Sequence, residues 1–241
     1  MSTPSLRTRS LGLAVVLLAG AGCHPYPRDP DHALEQVLER GTLRVGVEPS
    51  GPWVTGQPPG QPGGVEGTLL AGFADKLGVD VDWRWGSAEE HFDALMHQDL
   101  DVVIGGITTS NPWKKHVGFT LPYYTSRTVV GVPASGPMLS DLEGVSVAVR
   151  KGSGVRDLLE DRGARVVVRD TFAGSDGPVA AEAWEIEGMG LRPTAIRLRT
   201  DPHVMAVPPG ENALLMRLED FLLRRADETW VAARLREAAR P

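Results

Sequence analysis

The 241-residue chain has a single cysteine, Cys23, so it can form no internal disulfide and no thiolate-rich metal site. It lacks a basic surplus: 25 Lys+Arg face 31 Asp+Glu, a formal charge of −6. That balance argues against a nucleic-acid or anionic-membrane footprint, which needs a basic surface or stripe. Lysine is scarce, with four in the whole chain (Lys76, Lys114, Lys115 and Lys151), two of them adjacent. The histidines at 24, 32, 91, 97, 116 and 203 are scattered, and His91 and His97 miss the i, i+3 or i+4 spacing that a helical metal site uses, so no metal or other cofactor is expected. Past the first 22 residues no apolar run approaches the ~18 residues that span a bilayer. What is present is ordinary for a folded protein: 41% apolar and 23% charged residues exclude disordered, collagen-like and coiled-coil chains. The length suits one large domain or two lobes with a core each.

The lone cysteine stands at an informative place. Arg7 and Arg9 precede a short apolar run, Leu11 to Leu18, and Ala19 to Gly22 are all small. This is the pattern of a secretory signal, too short for a transmembrane helix. The ending resembles a bacterial lipoprotein box, in which the cysteine becomes the lipidated first residue, although Gly20 stands where leucine is usual. Ordinary cleavage after Ala21 is the alternative, leaving a soluble periplasmic protein. The expectation is a signal peptide over 1–22 and a lipid-anchored tether over 23–32. The protein then lies outside the cytoplasmic membrane and is held to it by Cys23. Loss of residues 1–22 removes two arginines and no acid, moving the formal charge from −6 to −8.

Beyond the tether, Asp29-Pro30 reads as an N-cap and first helical position, with helical spacing as far as Gly41. Thr42 to Val47 alternates as a strand, and a Gly/Pro-rich loop carrying Trp53 runs from Pro49 to Gly64. A helix through Leu69, Leu70, Phe73 and Leu77 follows, then a strand over Val79 to Trp85. Ser87 with Glu90 forms a capping box for the next helix. Leu100 to Ile104 is continuously apolar, as in strands buried on both faces. Thr128 to Val132, Ser146 to Val149, Val166 to Val168 and His203 to Val207 read as further strands, with a helix from Val155 to Arg162. Two helices, Glu211 to Leu223 and Glu228 to Ala239, close the chain. Alternating strands and helices indicate an α/β fold. Thr128–Val132 and His203–Val207 each end near prolines and bracket residues 133–204. They therefore predict a second lobe inserted into the first by two hinge strands: lobe 1 over 33–132, lobe 2 over 133–204, and a return to lobe 1 over 205–241. A cleft between lobes is the favoured place for a small ligand.

Several segments together resemble one family. These are Gly41 to Val47 (GTLRVGV), Pro52-Trp53, Gly64-Val-Glu66, Asp101 to Thr108 (DVVIGGIT), Phe119 to Tyr124 (FTLPYY), Leu142-Glu-Gly144 and Val147 to Ser153. In order and spacing they are similar to the solute-binding proteins of polar amino-acid ABC importers, family 3, with the type II periplasmic binding fold. The likeness covers residues 35–155 well and residues 170–200 poorly. It implies a monomeric two-lobe clamp, each lobe a mostly parallel sheet flanked by helices. The clamp closes on an amino acid-like solute and presents it to an ABC permease in the membrane.

The resemblance also implies site residues. Gly106 and Thr108 stand where the family meets its ligand through backbone groups and a hydroxyl, and Trp53 stands as an apolar wall. Where the family carries an arginine for the ligand carboxylate, this chain has Trp113. Lys114 or Lys115 is then the candidate charge, with Asn111-Pro112 opening the helical turn; solvated lysines are the competing reading. Gly152 and Ser153, at a strand-to-helix turn, form a candidate oxyanion cradle, and a plain turn is the alternative. Glu185 best fits the family's acid for the ligand ammonium, with Glu182 as the alternative. Two further functions stay open: a degenerate sensor or partner-binding domain that has lost its ligand, and a dehydratase of the same fold using Glu66, Glu182 or Glu185 as acid. The absence of a clear nucleophile–base pair favours a binding protein without chemistry of its own.

Overall fold

The computed structural model describes residues 29–172 and 176–238; the signal segment, Cys23 and most of the tether lie outside the described residues. The chain opens with α1 (Ala33–Arg40), which stops at Gly41 in the left-handed conformation, φ 70°. It continues through β1 (Thr42–Val47), α2 (Gly64–Leu77), β2 (Asp80–Trp85), α3 (Ala88–Met96) and β3 (Val102–Ile104). The capping box of α3 forms as read: Glu90 N donates to Ser87 Oγ at 3.4 Å, and Ser87 N donates to Glu90 Oε2 at 3.1 Å. A single 3₁₀ turn (Pro112–Lys115) precedes β4 (Gly118–Phe119). The second half comprises β5 (Tyr124–Val132), β6 (Ser146–Arg150), α4 (Arg156–Glu160), β7 (Arg165–Arg169), β8 (Val179–Glu182), α5 (Ala183–Gly188) and β9 (Arg192–His203). Last come β10 (Ala206–Val207), α6 (Asn212–Arg225) and α7 (Glu228–Ala238).

These strands build two five-stranded sheets, ordered β2-β1-β3-β10-β4 and β7-β6-β8-β5-β9. The α/β two-lobe fold is therefore as expected, but the sheets are mixed. β1 pairs parallel with β2 and β3, and β6 with β7 and β8, while β10 and β5 make antiparallel pairs on both sides. The antiparallel pairs arise where the chain passes between sheets, since a returning strand enters against the direction of its neighbours.

The same crossing corrects two boundaries. Residues 124–132, assigned from the sequence to the first lobe, pair throughout with β8 and β9 and so belong to the second sheet. His203–Val207 is not one strand: β9 ends at His203, Val204 and Met205 cross over, and β10 enters the first sheet. The crossings lie side by side, with Tyr124 opposite His203 and Tyr123 N donating to His203 O at 3.0 Å. The tether also ends sooner than expected. Asp29 caps α6 rather than α1, its Oδ1 accepting from Ala213 N at 2.6 Å. The buried carboxylate of Glu211 in turn accepts from Asp31 N and Ala33 N at 3.0 and 2.8 Å, satisfying free N–H groups at the start of α1.

The first core packs Leu43, Val45 and Val47 of β1 against Leu69, Leu70 and Phe73 of α2 and Leu214, Leu218 and Phe221 of α6. Its polar keystone is Asp101, at the head of β3 and 2% exposed. Its carboxylate accepts from Arg44 N at 2.7 Å, Arg40 Nη2 at 2.6 Å and Arg44 Nη2 at 2.7 Å. Removing one member of such a pair strands the others with unmatched charge. Asp101→Ala is expected to lower the unfolding free energy by about 3 kcal/mol or more. Urea denaturation checks this, and a loss under about 1 kcal/mol would show that water already screens the cluster.

Candidate functional site

Between the two sheets lies a cleft of about 600 Å³. Its first wall comes from the loop Ser50 to Trp53, with Gly106 and Thr108 just beyond β3. Trp53 is placed by the bridge between Ser50 and Val54, and its carbonyl accepts from Glu66 N at 3.0 Å. Its ring stacks on His203 with centroids 3.7 Å apart and planes at 26°. At Gly106 φ is +69°, and a Cβ there would fall 2.7 Å from Ser50 Oγ and 3.1 Å from the Trp53 ring, so glycine is required. The Gly106 N–H does not face a ligand: with Gly105 N it donates to Glu66 Oε2, at 2.9 and 2.8 Å. Thr108 Oγ1 sits 2.8 Å from Ser110 Oγ.

The second wall carries Gly152 and Ser153 after β6, Phe172, and Ala180 to Glu182 at the end of β8, with Trp184 and Glu185 on α5. Ser153 N donates to Arg150 O at 3.1 Å, closing a turn, so one N–H of the expected cradle is already taken. Glu185 accepts from Arg150 Nη1 at 2.9 Å. Glu182 is the more enclosed acid. Thr128 Oγ1 donates to its Oε1 at 2.8 Å, and burial holds its carboxyl above the ordinary glutamate range.

The floor is formed by the crossover strands, through Ser126 and Thr128 of β5 and Arg199, Asp201 and His203 of β9. Sequence reasoning did not select these residues. Ser126 and Thr128, and likewise Arg199, Asp201 and His203, are spaced by two and so share a face, but polar neighbours at Thr125, Arg127 and Thr200 hide that spacing in the sequence. His203 Nε2 lies 3.1 Å from Ser126 Oγ. Burial lowers the His203 pKa from 6.5 to about 4, against the opposing pull of the Asp201 carboxylate, so the ring is neutral at pH 7.

Of the residues singled out from the sequence, Trp53, Gly106, Thr108, Gly152, Ser153, Glu182 and Glu185 come together around the cleft. Trp113 and Lys114 do not. Trp113 stacks on Phe92 at 5.4 Å with planes 7° apart, packed on the core behind β3, and Lys114 beside it is exposed to solvent away from the cleft. The 3₁₀ turn carrying both is fixed by Asn111 Oδ1 accepting from Trp113 N at 2.9 Å. Cys23 lies outside the described residues. Among the described residues no group of three His, Cys, Asp or Glu gathers as a metal site. Three buried side-chain atoms among them lack a well-formed hydrogen bond, Glu182 Oε2, Trp184 Nε1 and His203 Nδ1, although Ser126 acts on Glu182 and the Gly106 backbone on His203. All three belong to residues lining this one cleft.

The chain matches the family model of bacterial extracellular solute-binding proteins, family 3, over residues 43–236. It is 30% identical over 162 residues to the L-cystine-binding protein TcyJ of Escherichia coli K12, a match covering 65% of this chain and 60% of that protein. It is 31% identical over 123 residues to membrane-bound lytic murein transglycosylase F of Actinobacillus succinogenes, covering 49% of this chain and 25% of that protein. The matched parts thus span between a quarter and three-fifths of these relatives. Among solved structures, an ancestral cationic amino acid solute binding protein aligns with a TM-score of 0.66 at 21% identity, covering 85% of this chain and 97% of that one.

The buried His203 ring makes stability depend on pH. The unfolded chain takes up this proton near pH 6.5 and the folded protein only near 4. The contribution of the buried neutral ring is complete above pH 6.5 and is lost as the pH falls toward 4, on the order of 3 kcal/mol across that window. The wild-type unfolding free energy minus that of His203→Gln should fall by about this amount between pH 7 and pH 4, measured by chemical denaturation. A pH-independent difference would contradict burial of a neutral ring.

Proposed function

From the premise that the chain belongs to the bacterial extracellular solute-binding proteins, family 3, we propose that it captures a small zwitterionic solute, an amino acid or close relative, for an ABC importer. The observation that carries this reading is the gathering of all three unpartnered buried polar atoms, among the described residues, on one cleft. Buried polar groups are nearly always paired, and an unpaired one costs about 1–3 kcal/mol. A solute entering the cleft supplies the missing partners.

The lining charges favour a zwitterion over a simple ion. Arg150, Lys151 and Arg199 stand against Glu182, Glu185 and Asp201, three of each sign. A solute with one net charge would unbalance that set, whereas a dipolar one does not. Glu182, with one oxygen unpartnered, suits an ammonium, and the flat Trp53–His203 stack suits an apolar or planar side chain. The name of the cystine-binding relative supports the same class of ligand. Closure of the lobes around the bound solute is the signal to a permease, because only the liganded form holds the lobes together. Lipidation of Cys23 keeps the protein at the membrane where that permease sits.

The reading is tested by thermal melts of the protein across amino acids, polyamines and organic anions. An amino acid is expected to raise the melting temperature by several degrees at about 100 times its Kd. No shift with any compound would overturn solute capture in favour of a domain that has lost its ligand. Turnover of prephenate or arogenate would overturn it in favour of a dehydratase. The anchor has its own test: Cys23→Ser should move the protein from the membrane fraction to the soluble one, and continued membrane attachment would refute lipidation.

A further inference from the structure

If the cleft takes an amino acid, some cation must take the carboxylate, and the basic side chains lining it are not equivalent. Arg150 donates from Nη1 to Glu185 at 2.9 Å, and its guanidinium is drawn over the Phe172 ring at 5.0 Å, so it is held against its own wall. Lys151 is exposed, and a lysine offers a point charge rather than a planar fork. Arg199 differs from both in its place on the sheet, in register with Thr128 and Glu182. Its Nε donates to Asp201 Oδ2 at 2.6 Å, and its Nη1 reaches only the Ser153 carbonyl, at 3.5 Å. No hydrogen bond of Nη2 is found among the described residues, and the side chain stays 40% exposed on the cleft. Asp201 thus fixes the guanidinium by one edge and leaves its Nη edge to the solvent of the cleft.

The strand register explains this placement. Thr128 of β5 is directly opposite Glu182 of β8 on one side and Arg199 of β9 on the other. Directly paired residues of antiparallel strands point to the same face, so acid, hydroxyl and guanidinium form one row across three strands. With strands about 4.8 Å apart, the backbones of Glu182 and Arg199 stand about 10 Å from each other, facing the same space. Between Thr128 and Val129 the register slips, leaving Leu198 as an extra residue on β9. Leu198 turns into the core of the second sheet, while Arg199 remains on the cleft face. Bulges commonly re-aim a side chain in this way.

We propose that Arg199 receives the carboxylate of the bound amino acid, so that the acidic end of the solute is read by the crossover strand β9 and its ammonium faces Glu182. The proposal rests on the cleft being an amino-acid site, and it makes Arg199 a determinant of specificity for α-amino acids over the corresponding amines. Because this arginine stands four residues before the end of β9 at His203, carboxylate binding acts close to the crossing between the two sheets.

Calorimetric titration of L-arginine and L-cystine, and of their decarboxylated counterparts agmatine and cystamine, tests it with wild-type protein and with Arg199→Ala and Arg199→Lys. Thermal melts confirm that each variant is folded. Arg199→Ala is expected to weaken amino-acid binding on the order of 10- to 100-fold while leaving any amine binding unchanged. Arg199→Lys, which keeps the charge and loses the fork, should fall between the two. A folded Arg199→Ala protein that binds the amino acids within about twofold of wild type overturns the assignment alone. Wild-type protein that binds neither amino acid, and shows no thermal shift with any other, overturns the amino-acid reading itself.

Discussion

The carboxylate of Glu66 holds together everything on the first wall of the cleft. It is fully buried in the first turn of α2 and accepts three hydrogen bonds: from Gly105 N at 2.8 Å, Gly106 N at 2.9 Å and Tyr123 Oη at 2.6 Å. Its own N–H donates to the Trp53 carbonyl. One residue thereby ties the start of a helix, the end of β3, the cleft loop and the segment entering β5. Burial pushes its carboxyl above the ordinary range, and the three donors work against that shift; the neighbouring Tyr123 phenol is pushed well up by the same burial and by Glu66. A buried acid is costly unless its lone pairs are matched, and here the matching groups are those whose positions define the cleft. An apolar substitute would free Gly105 and Gly106 N–H groups inside the protein, and the left-handed turn at Gly106 would lose its tether.

How much of this architecture was legible in the sequence depended on range. Gly41 as a helix stop, the Ser87–Glu90 box, the Asn111–Pro112 cap and the buried strand β3 are all decided by residues within a few positions of each other, and all appear in the structure. Asp29 carries the same kind of local signal yet serves another helix: α6 lies nearby only after 184 residues of chain have folded back, and α1 is capped instead by Glu211. The strand over His203–Val207 failed for a related reason. Its apolar run is continuous, but its two ends hydrogen-bond to different sheets. Periodicity records burial and does not record which neighbour provides it.

The cleft divides along the same line. Trp53, Thr108, Ser153 and Glu182 lie at strand ends and loops whose order along the chain already suggested a site, and they reach the cleft. Lys114 looked conspicuous because lysine is scarce, but scarcity says nothing of direction. The ring of Trp113 beside it is drawn onto Phe92, and neither residue lines the cleft. Arg199, Asp201 and His203 were overlooked because they gain meaning only from a pairing of β9 with β5 across more than 70 residues, and from a slip in that pairing. No local pattern announces a bulge whose partner strand is that distant.

The physical character of the cleft follows from what surrounds its charges. At the centre the Trp53–His203 stack is flat and uncharged, since burial keeps the imidazole neutral. Around it Arg150 is matched by Glu185 and Arg199 by Asp201, so the empty cleft stores little repulsion between its walls. An open cleft with balanced charges is tolerated by water, which solvates the exposed edges of those pairs. The unpartnered atoms of Glu182, Trp184 and His203 are different, because they are already withdrawn from solvent and gain most from a guest that brings its own donors and acceptors. In the proposed role, selectivity comes from this inner set, where a mismatch leaves a buried polar group bare, together with the open edge of Arg199, while Asp201 and Glu185 hold the two arginines in place.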